Sequence, residues 1–182
     1  MIAGDTTITI DLNKLGRNMD AVCRMVGGDV AVMAVIKANG YGHGATQIAS
    51  TLLAHGASYL AVARVEEALP IQETNPEAPL FVLGYTPDRL LETAVENHIA
   101  LTIFTAHQAR LLSELSQKHG TKATVHLKVE TGFNRLGTDD VNELRAILQT
   151  PFLNVEGIYS HLALKDRPSD EIQLKRFLDI RK

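Results

Sequence analysis

Polar and apolar positions along the chain fall into short segments of changing period. Thr6-Thr7-Ile8-Thr9-Ile10 alternates and is β-branched throughout, which predicts a half-buried strand. Asp11 then reads as a helix N-cap. Leu12, Leu15, Met19, Val22, Cys23 and Val26 follow on one helical face, stopped by Gly27-Gly28, which makes Cys23 a small core residue. From residue 30 strand and helix patterns take turns. Val30 to Ile36 is a continuous apolar run, the pattern of a strand buried on both faces. A helix over His43 to His55 follows, then strand Ser58 to Ala63, helix Val65 to Ile71 and strand Leu80 to Leu83. Thr86 is placed to cap a helix with Pro87 at its first position. Strand Ile99 to Phe104 precedes a helix opened by the capping box Thr105-x-x-Gln108 and running to His119-Gly120. Strand Thr124 to Val129, helix Thr138 to Gln149, strand Val155 to Ser160 and helix Ser169 to Lys182 complete the series.

Strand followed by helix, six times over, predicts an α/β fold with a parallel sheet covered by helices. An open doubly wound sheet and a TIM-like (β/α) barrel both satisfy that pattern. No G-x-G-x-x-G follows a strand, so the dinucleotide-binding form lacks its fingerprint. A complete barrel needs eight units and about 250 residues. The last helical pattern reaches Lys182 without a glycine cap. The expectation is therefore a partial barrel, about six of eight units, at the front of a larger protein.

Composition narrows the function classes. The 182 residues are 45% hydrophobic and 21% charged with a net charge of −3, globular rather than disordered. No cluster of Lys and Arg stands out, which argues against nucleic acid as a partner. The single cysteine, Cys23, gives neither an intrachain disulfide nor a Cys-based metal site. No apolar run approaches the roughly 20 residues of a bilayer span, and the N-terminus lacks a signal-peptide pattern. A protein of the cytoplasm that makes no membrane contact is expected.

Lys37 breaks the pattern. It ends an apolar strand, where lysine is rare unless paired or used. The C-terminal mouth of a barrel strand is the face where barrel enzymes do chemistry. Desolvation there favours the neutral amine that attacks a carbonyl carbon, whereas a snorkelling lysine would keep its head in water. Asn39-Gly40-Tyr41-Gly42-His43-Gly44 follows directly, with glycines that permit close backbone approach and a phenol at Tyr41. A phosphorylated aldehyde cofactor suits that combination; a glycine-rich turn is the plainer alternative.

Ala34-Val35-Ile36-Lys37-Ala38-Asn39-Gly40-Tyr41-Gly42-His43-Gly44 resembles the cofactor-lysine motif of alanine racemases. His126 to Gly137, with Lys128, Glu130-Thr131-Gly132-Phe133 and Arg135, resembles the family's K-x-D-T-G-M-x-R-x-G segment. Tyr159-Ser160-His161-Leu162-Ala163 resembles its T-H-F-A strand end, and Leu80 to Gly84 its third strand. The resemblance implies a barrel that binds pyridoxal 5′-phosphate and interconverts L- and D-alanine, supplying D-alanine for peptidoglycan. Residues 11–182 would be the incomplete barrel, and residues 1–10 a strand belonging with a C-terminal β domain.

By the same resemblance, Lys37 holds the cofactor covalently and is the base on the D-face. Tyr41 helps hold the cofactor phosphate and Leu83 lines the pocket. Arg135 bonds the cofactor's phenolic oxygen and the substrate carboxylate, and His161 lies beside the ring. Lys128 matches a lysine that is carbamylated in several members. Glu130 stands where the family usually has Asp, and Phe133 where it usually has Met. The resemblance also implies a homodimer acting on a small amino acid, with the second base a tyrosine from the partner's C-terminal region. Tyr41, Tyr59, Tyr85 and Tyr159 are the tyrosines here and none matches it, so this stretch alone is expected to be nearly inactive. A serine or broad-specificity racemase, a non-catalytic pyridoxal-phosphate-binding barrel and a purely structural barrel are the alternatives.

Overall fold

The computed structural model describes residues 7–181. Helix α1 (Leu12–Val26) leads into β1 (Val32–Val35), the short turn-like α2 (Lys37–Tyr41) and α3 (Ala45–Ala54). Then come β2 (Ala57–Val62), α4 (Val65–Thr74), β3 (Leu80–Val82), a 3₁₀ turn at Asp88–Leu90 and α5 (Leu91–Glu96). The series closes with β4 (Ala100–Ile103), α6 (Ala106–Lys118), β5 (Ala123–Lys128), α7 (Val141–Leu148), β6 (Leu153–Tyr159) and α8 (Arg167–Ile180). The six strands form one sheet in the order β1-β2-β3-β4-β5-β6, each parallel to its neighbour. A doubly wound sheet reverses its strand order at a switch point. This one never reverses, so it is six consecutive βα units of a TIM-like barrel.

Two apolar layers hold it. The larger lies between sheet and helices, where Leu60, Val62, Leu101, Ile103, Val125 and Leu127 meet Val65, Ile71, Leu91, Leu112 and Ile147. The smaller fills the concave face, with Ala61, Phe81 and Ala100 buried against Met33, Tyr59, Leu83 and Tyr159. Contacts between non-neighbouring strands show how strongly the sheet curls. Tyr59 of β2 donates from its hydroxyl to Glu156 of β6 at 2.5 Å. The Phe81 ring of β3 packs on His126 of β5 and Tyr159 of β6, with centroids 4.6 and 5.8 Å apart. Glu156 sits at an irregularity where Val125 pairs with Val155 but His126 pairs with Gly157, an extra residue that re-aims the carboxylate. Burial and Glu156 together push the Tyr59 hydroxyl up to about 12.

Several expectations need correction. Residues 7–10 form no strand, Ile8 is 80% exposed, and Thr6 lies outside the described residues. β1 is not buried on both faces: it is an edge strand, half-buried, with Val35 41% exposed. Cys23 is only partly buried; its thiol lies 3.7 Å from the His55 and Gly56 carbonyls. Thr86 caps nothing. Pro87 adopts extended backbone ahead of the 3₁₀ turn, so the following helix starts later, at Leu91. Thr138 does not open a helix either. Its backbone bonds to Lys128 and Glu130, and Asp140 caps α7 instead. The Thr105 box is half-formed: Thr105 accepts from the Gln108 N–H, while Glu143 accepts from Ala106. No helix among the described residues is long and apolar enough to cross a membrane.

Gly84, just past β3, packs with no room for a side chain, since an added Cβ would lie 2.4 Å from the Ala63 carbonyl oxygen. Gly84→Ala is expected to cost about 1–3 kcal/mol by overpacking, read as a lower urea midpoint at unchanged slope.

Candidate active site

Each candidate side chain sits at or just past the C-terminal end of a strand. Lys37 follows β1 by two residues, Leu83 follows β3 directly, Lys128 ends β5, Arg135 lies in the β5–α7 loop, and His161 follows β6 by two residues. Parallel winding delivers all of them to one rim.

The backbone that presents Lys37 is unusual. Ala38, Asn39, Gly40, Tyr41 and Gly42 have consecutive positive φ values of 51, 54, 64, 53 and 88°, a left-handed turn. Non-glycine residues pay roughly 1–2 kcal/mol each for that conformation, so it must be held from outside. Glu67 at the start of α4 holds it, accepting from the Ala38 N–H at 3.0 Å and the Ala63 N–H at 2.7 Å. Asn39 adds a bond from the Ala45 N–H to its side-chain oxygen, capping α3. Gly40 is buried, and a Cβ there would meet the Ile48 side chain at 2.8 Å. Lys37 is half-buried, and Tyr41 is 61% exposed on the same turn.

The loop bearing Arg135 is built on Glu130. Its carboxylate accepts from the backbone N–H of Gly132, of Asn134 at 2.9 Å and of Arg135 at 3.3 Å. Those bonds hold the carboxyl below its usual value against the opposing effect of burial. Backbone bonds between Thr138 and both Lys128 and Glu130 close the loop's stem. Gly137 is required there, since a Cβ would lie within 2.9 Å of Glu130 N and Lys128 O. Opposite, the buried Gln173 of α8 donates to the His161 carbonyl at 3.1 Å and accepts from the Ala163 N–H at 2.9 Å. The Thr131 and Ser160 hydroxyls, 2.6 Å apart, join the two loops.

Lys128 is the most buried cation of the rim, 5% exposed, with its Nζ 4.3 Å from the centroid of the Tyr159 ring. Burial first, then the Arg135 charge, lowers its amine to about 8, with Glu130 opposing. Tyr159 is fixed in turn: its hydroxyl lies 2.6 Å from that of Thr102, which donates to the Val82 carbonyl. His161 is held below its usual value by partial burial, then by the charges of Arg135, Lys128 and Lys37. The Phe133 ring lies between Arg135 and His161. The four sequence-derived groups thus share one electrostatic neighbourhood. No hydrogen bond joins Lys37 to the other three among the described residues. Glu67, Gln173 and Thr131 were not visible as site residues in the sequence; Glu130 was, but only as a departure from a motif.

Six singly wound strands with amines, a guanidinium and an imidazole gathered on the C-terminal rim define a TIM-like barrel whose candidate site lies at the strand ends. The chain belongs to the alanine racemase family: residues 10–182 match the family description "Alanine racemase, N-terminal domain". It is 37% identical to Alanine racemase 2 of Caldanaerobacter subterraneus subsp. tengcongensis over 97% of this chain and 47% of that protein. Among solved structures, the alanine racemase of Streptomyces lavendulae superposes with a TM-score of 0.86 at 30% identity, over 94% of this chain and 47% of that one. A histidine racemase of Leuconostoc mesenteroides subsp. sake superposes at 0.78 and 26% identity, over 89% and 46%. The chain spans about half the length of the relatives it matches.

The low amine value of Lys128 fixes a sign. Below pH about 8 the folded chain carries a buried ammonium that the unfolded chain carries in water, so Lys128 costs stability there. From about 8 to the ordinary value of 10.5 the unfolded state binds more protons, and stability rises with pH. In CO₂-free buffer Lys128→Met is expected to be more stable than the parent by up to about 3 kcal/mol at pH 7. That advantage should shrink through the same window, as followed by urea unfolding at stepped pH.

Proposed function

We propose that the whole protein interconverts L- and D-alanine with pyridoxal 5′-phosphate, in the cytoplasm, supplying D-alanine for peptidoglycan. What supports this reading is the convergence of Lys37, Lys128, Arg135 and His161 on one rim whose flanking carboxylate, Glu130, is spent on backbone amides. Positive charge left over in this way fits a phosphate ester with an aldehyde and a phenolic oxygen, and a substrate carboxylate beside it. When bound, the cofactor supplies an electron sink for the charge left as the substrate Cα proton departs.

The chain's own residues then have distinct tasks. Lys37 Nζ holds the cofactor and removes or returns the Cα proton on the D-face. The left-handed turn fixes where that amine starts, and Tyr41 on the same turn helps hold the phosphate. Arg135 holds the phenolic oxygen and the substrate carboxylate, whose two oxygens match its planar fork. Leu83 lines the pocket and His161, its titration lowered by burial and then by its cationic neighbours, lies beside the cofactor ring. Lys128 has enough neutral amine near pH 8 to take up CO₂, which would turn it into an anion aimed at Arg135. A mass gain of one CO₂ on Lys128 tests that step, and a bare amine in CO₂-containing buffer counts against it.

Racemisation needs a second base on the opposite face. The Tyr59 and Tyr159 hydroxyls are engaged with Glu156 and Thr102 inside the curl. The resemblance to the family assigns the second base to a tyrosine of a partner subunit's C-terminal region in a homodimer. Residues 1–10 are assigned to the accompanying β domain. Residues 1–182 alone would then racemise alanine poorly or not at all. The histidine racemase among the structural relatives supports one competing reading, a racemase of serine or of several amino acids, separated by comparing turnover on the whole protein.

Borohydride reduction with pyridoxal phosphate, followed by peptide mapping, is expected to fix the cofactor on Lys37. Lys37→Ala in the whole protein should lower alanine racemisation by about 10²–10⁴-fold or more. Label on another lysine, or undiminished turnover, overturns the assignment.

A further inference from the structure

Glu130 and Thr138 fix the backbone of the Arg135 loop, but a fixed backbone leaves a long arginine stem free to swing. What confines it is Phe133. The guanidinium carbon lies 4.6 Å from the Phe133 ring centroid, over its face. The same ring meets the His161 imidazole with centroids 4.4 Å apart and planes at 82°. A benzene ring attracts a cation to its face and packs edge-to-face with a second aromatic ring, so one side chain satisfies both neighbours.

We infer that Phe133 is a positioning residue, its ring wedged between the Arg135 guanidinium and the His161 imidazole and setting their spacing at the rim. Three further observations agree. The amides of Gly132 and Asn134, on either side of Phe133, both donate to Glu130, so the ring stands on an anchored base. The His161 carbonyl is pinned by Gln173, so the imidazole meets the wedge from a second fixed base. Lys128, Phe133, Arg135 and His161 line one narrow cleft, so a shift of the ring moves two polar groups together. Methionine, the usual residue of the matching motif, has no ring face to offer and more rotatable bonds. Leucine would keep apolar bulk but lose the face.

The inference rests on the proposed racemase reading only through its kinetic arm. Phe133→Leu and Phe133→Tyr are made in the whole protein. Histidine side-chain NMR over pH about 5–9 on the cofactor-free form follows the His161 ring, a range that brackets an ordinary imidazole. In Phe133→Leu the Arg135 guanidinium is freed to swing away from the imidazole, and the His161 titration is expected to rise toward the ordinary value. On the cofactor-loaded form, KM for alanine should increase about fivefold with kcat nearly unchanged, the size expected for losing a partly exposed cation–ring contact. Phe133→Tyr should restore both. Parental titration and KM in the leucine variant, or no restoration by tyrosine, overturn the inference. If leucine prevents folding, Phe133→Met is measured in its place against the same two outcomes. A parental protein that does not racemise sinks the racemase reading, while the cofactor-free titration still decides the role of Phe133.

Discussion

Everything at the rim depends on parallel winding. A strand that runs parallel to its predecessor can be reached only by a crossover, and here each crossover carries a helix. Repeated without a reversal of order, that rule sends the last residue of every strand to the same side. Residues as distant as Lys37 and His161 become neighbours with no dedicated contact between them. The curl is enforced from within by side chains that reach across the concave face, Tyr59 to Glu156 and Phe81 to His126 and Tyr159. Without those ties, the strand ends would fan out and the amines and guanidinium would no longer feel one another.

The electrostatics follow from that crowding. Lys37, Lys128, Arg135 and His161 converge, and burial strips Lys128 of much of its hydration. The protein offsets this charge only in part. The carboxylate in reach, Glu130, is turned toward amide N–H groups, where it shapes a loop and leaves the rim positive. Among the described residues Lys128 and Arg135 lie over the rings of Tyr159 and Phe133, and none of the four cationic side chains forms an ion pair with a carboxylate.

Local structure was legible in the sequence wherever local rules suffice. Asp11 caps α1, Gly27 ends it, and all six strands fall within a few residues of their expected positions. The motif residues were named by resemblance, and parallel winding carries them to the rim. Long-range ties were not legible. Glu67 looked like an ordinary acidic residue in a helix's first turn, and nothing near it announces that it holds a backbone N–H 29 residues earlier. Gln173 is equally anonymous within a polar helix. The errors have the same source. Val30 to Ile36 was apolar enough for a central strand, but burial depends on neighbours, and β1 lies at a sheet edge. Thr86-Pro87 carries a helix-start signal, yet the chain spends it on extended backbone and a 3₁₀ turn.

The left-handed turn after β1 has a consequence for biosynthesis. Its own residues favour the opposite hand at Ala38, Asn39 and Tyr41, and the carboxylate that stabilises it belongs to a helix not yet made when those residues leave the ribosome. A nascent chain bearing only the first repeat has the turn's local bonds, such as that from the Ala45 N–H to Asn39, but lacks the Glu67 carboxylate. The amine of Lys37 is therefore brought to its station only after the second repeat has emerged and docked. Vectorial synthesis thus orders two events: the turn that presents Lys37 is locked only once α4 stands beside it.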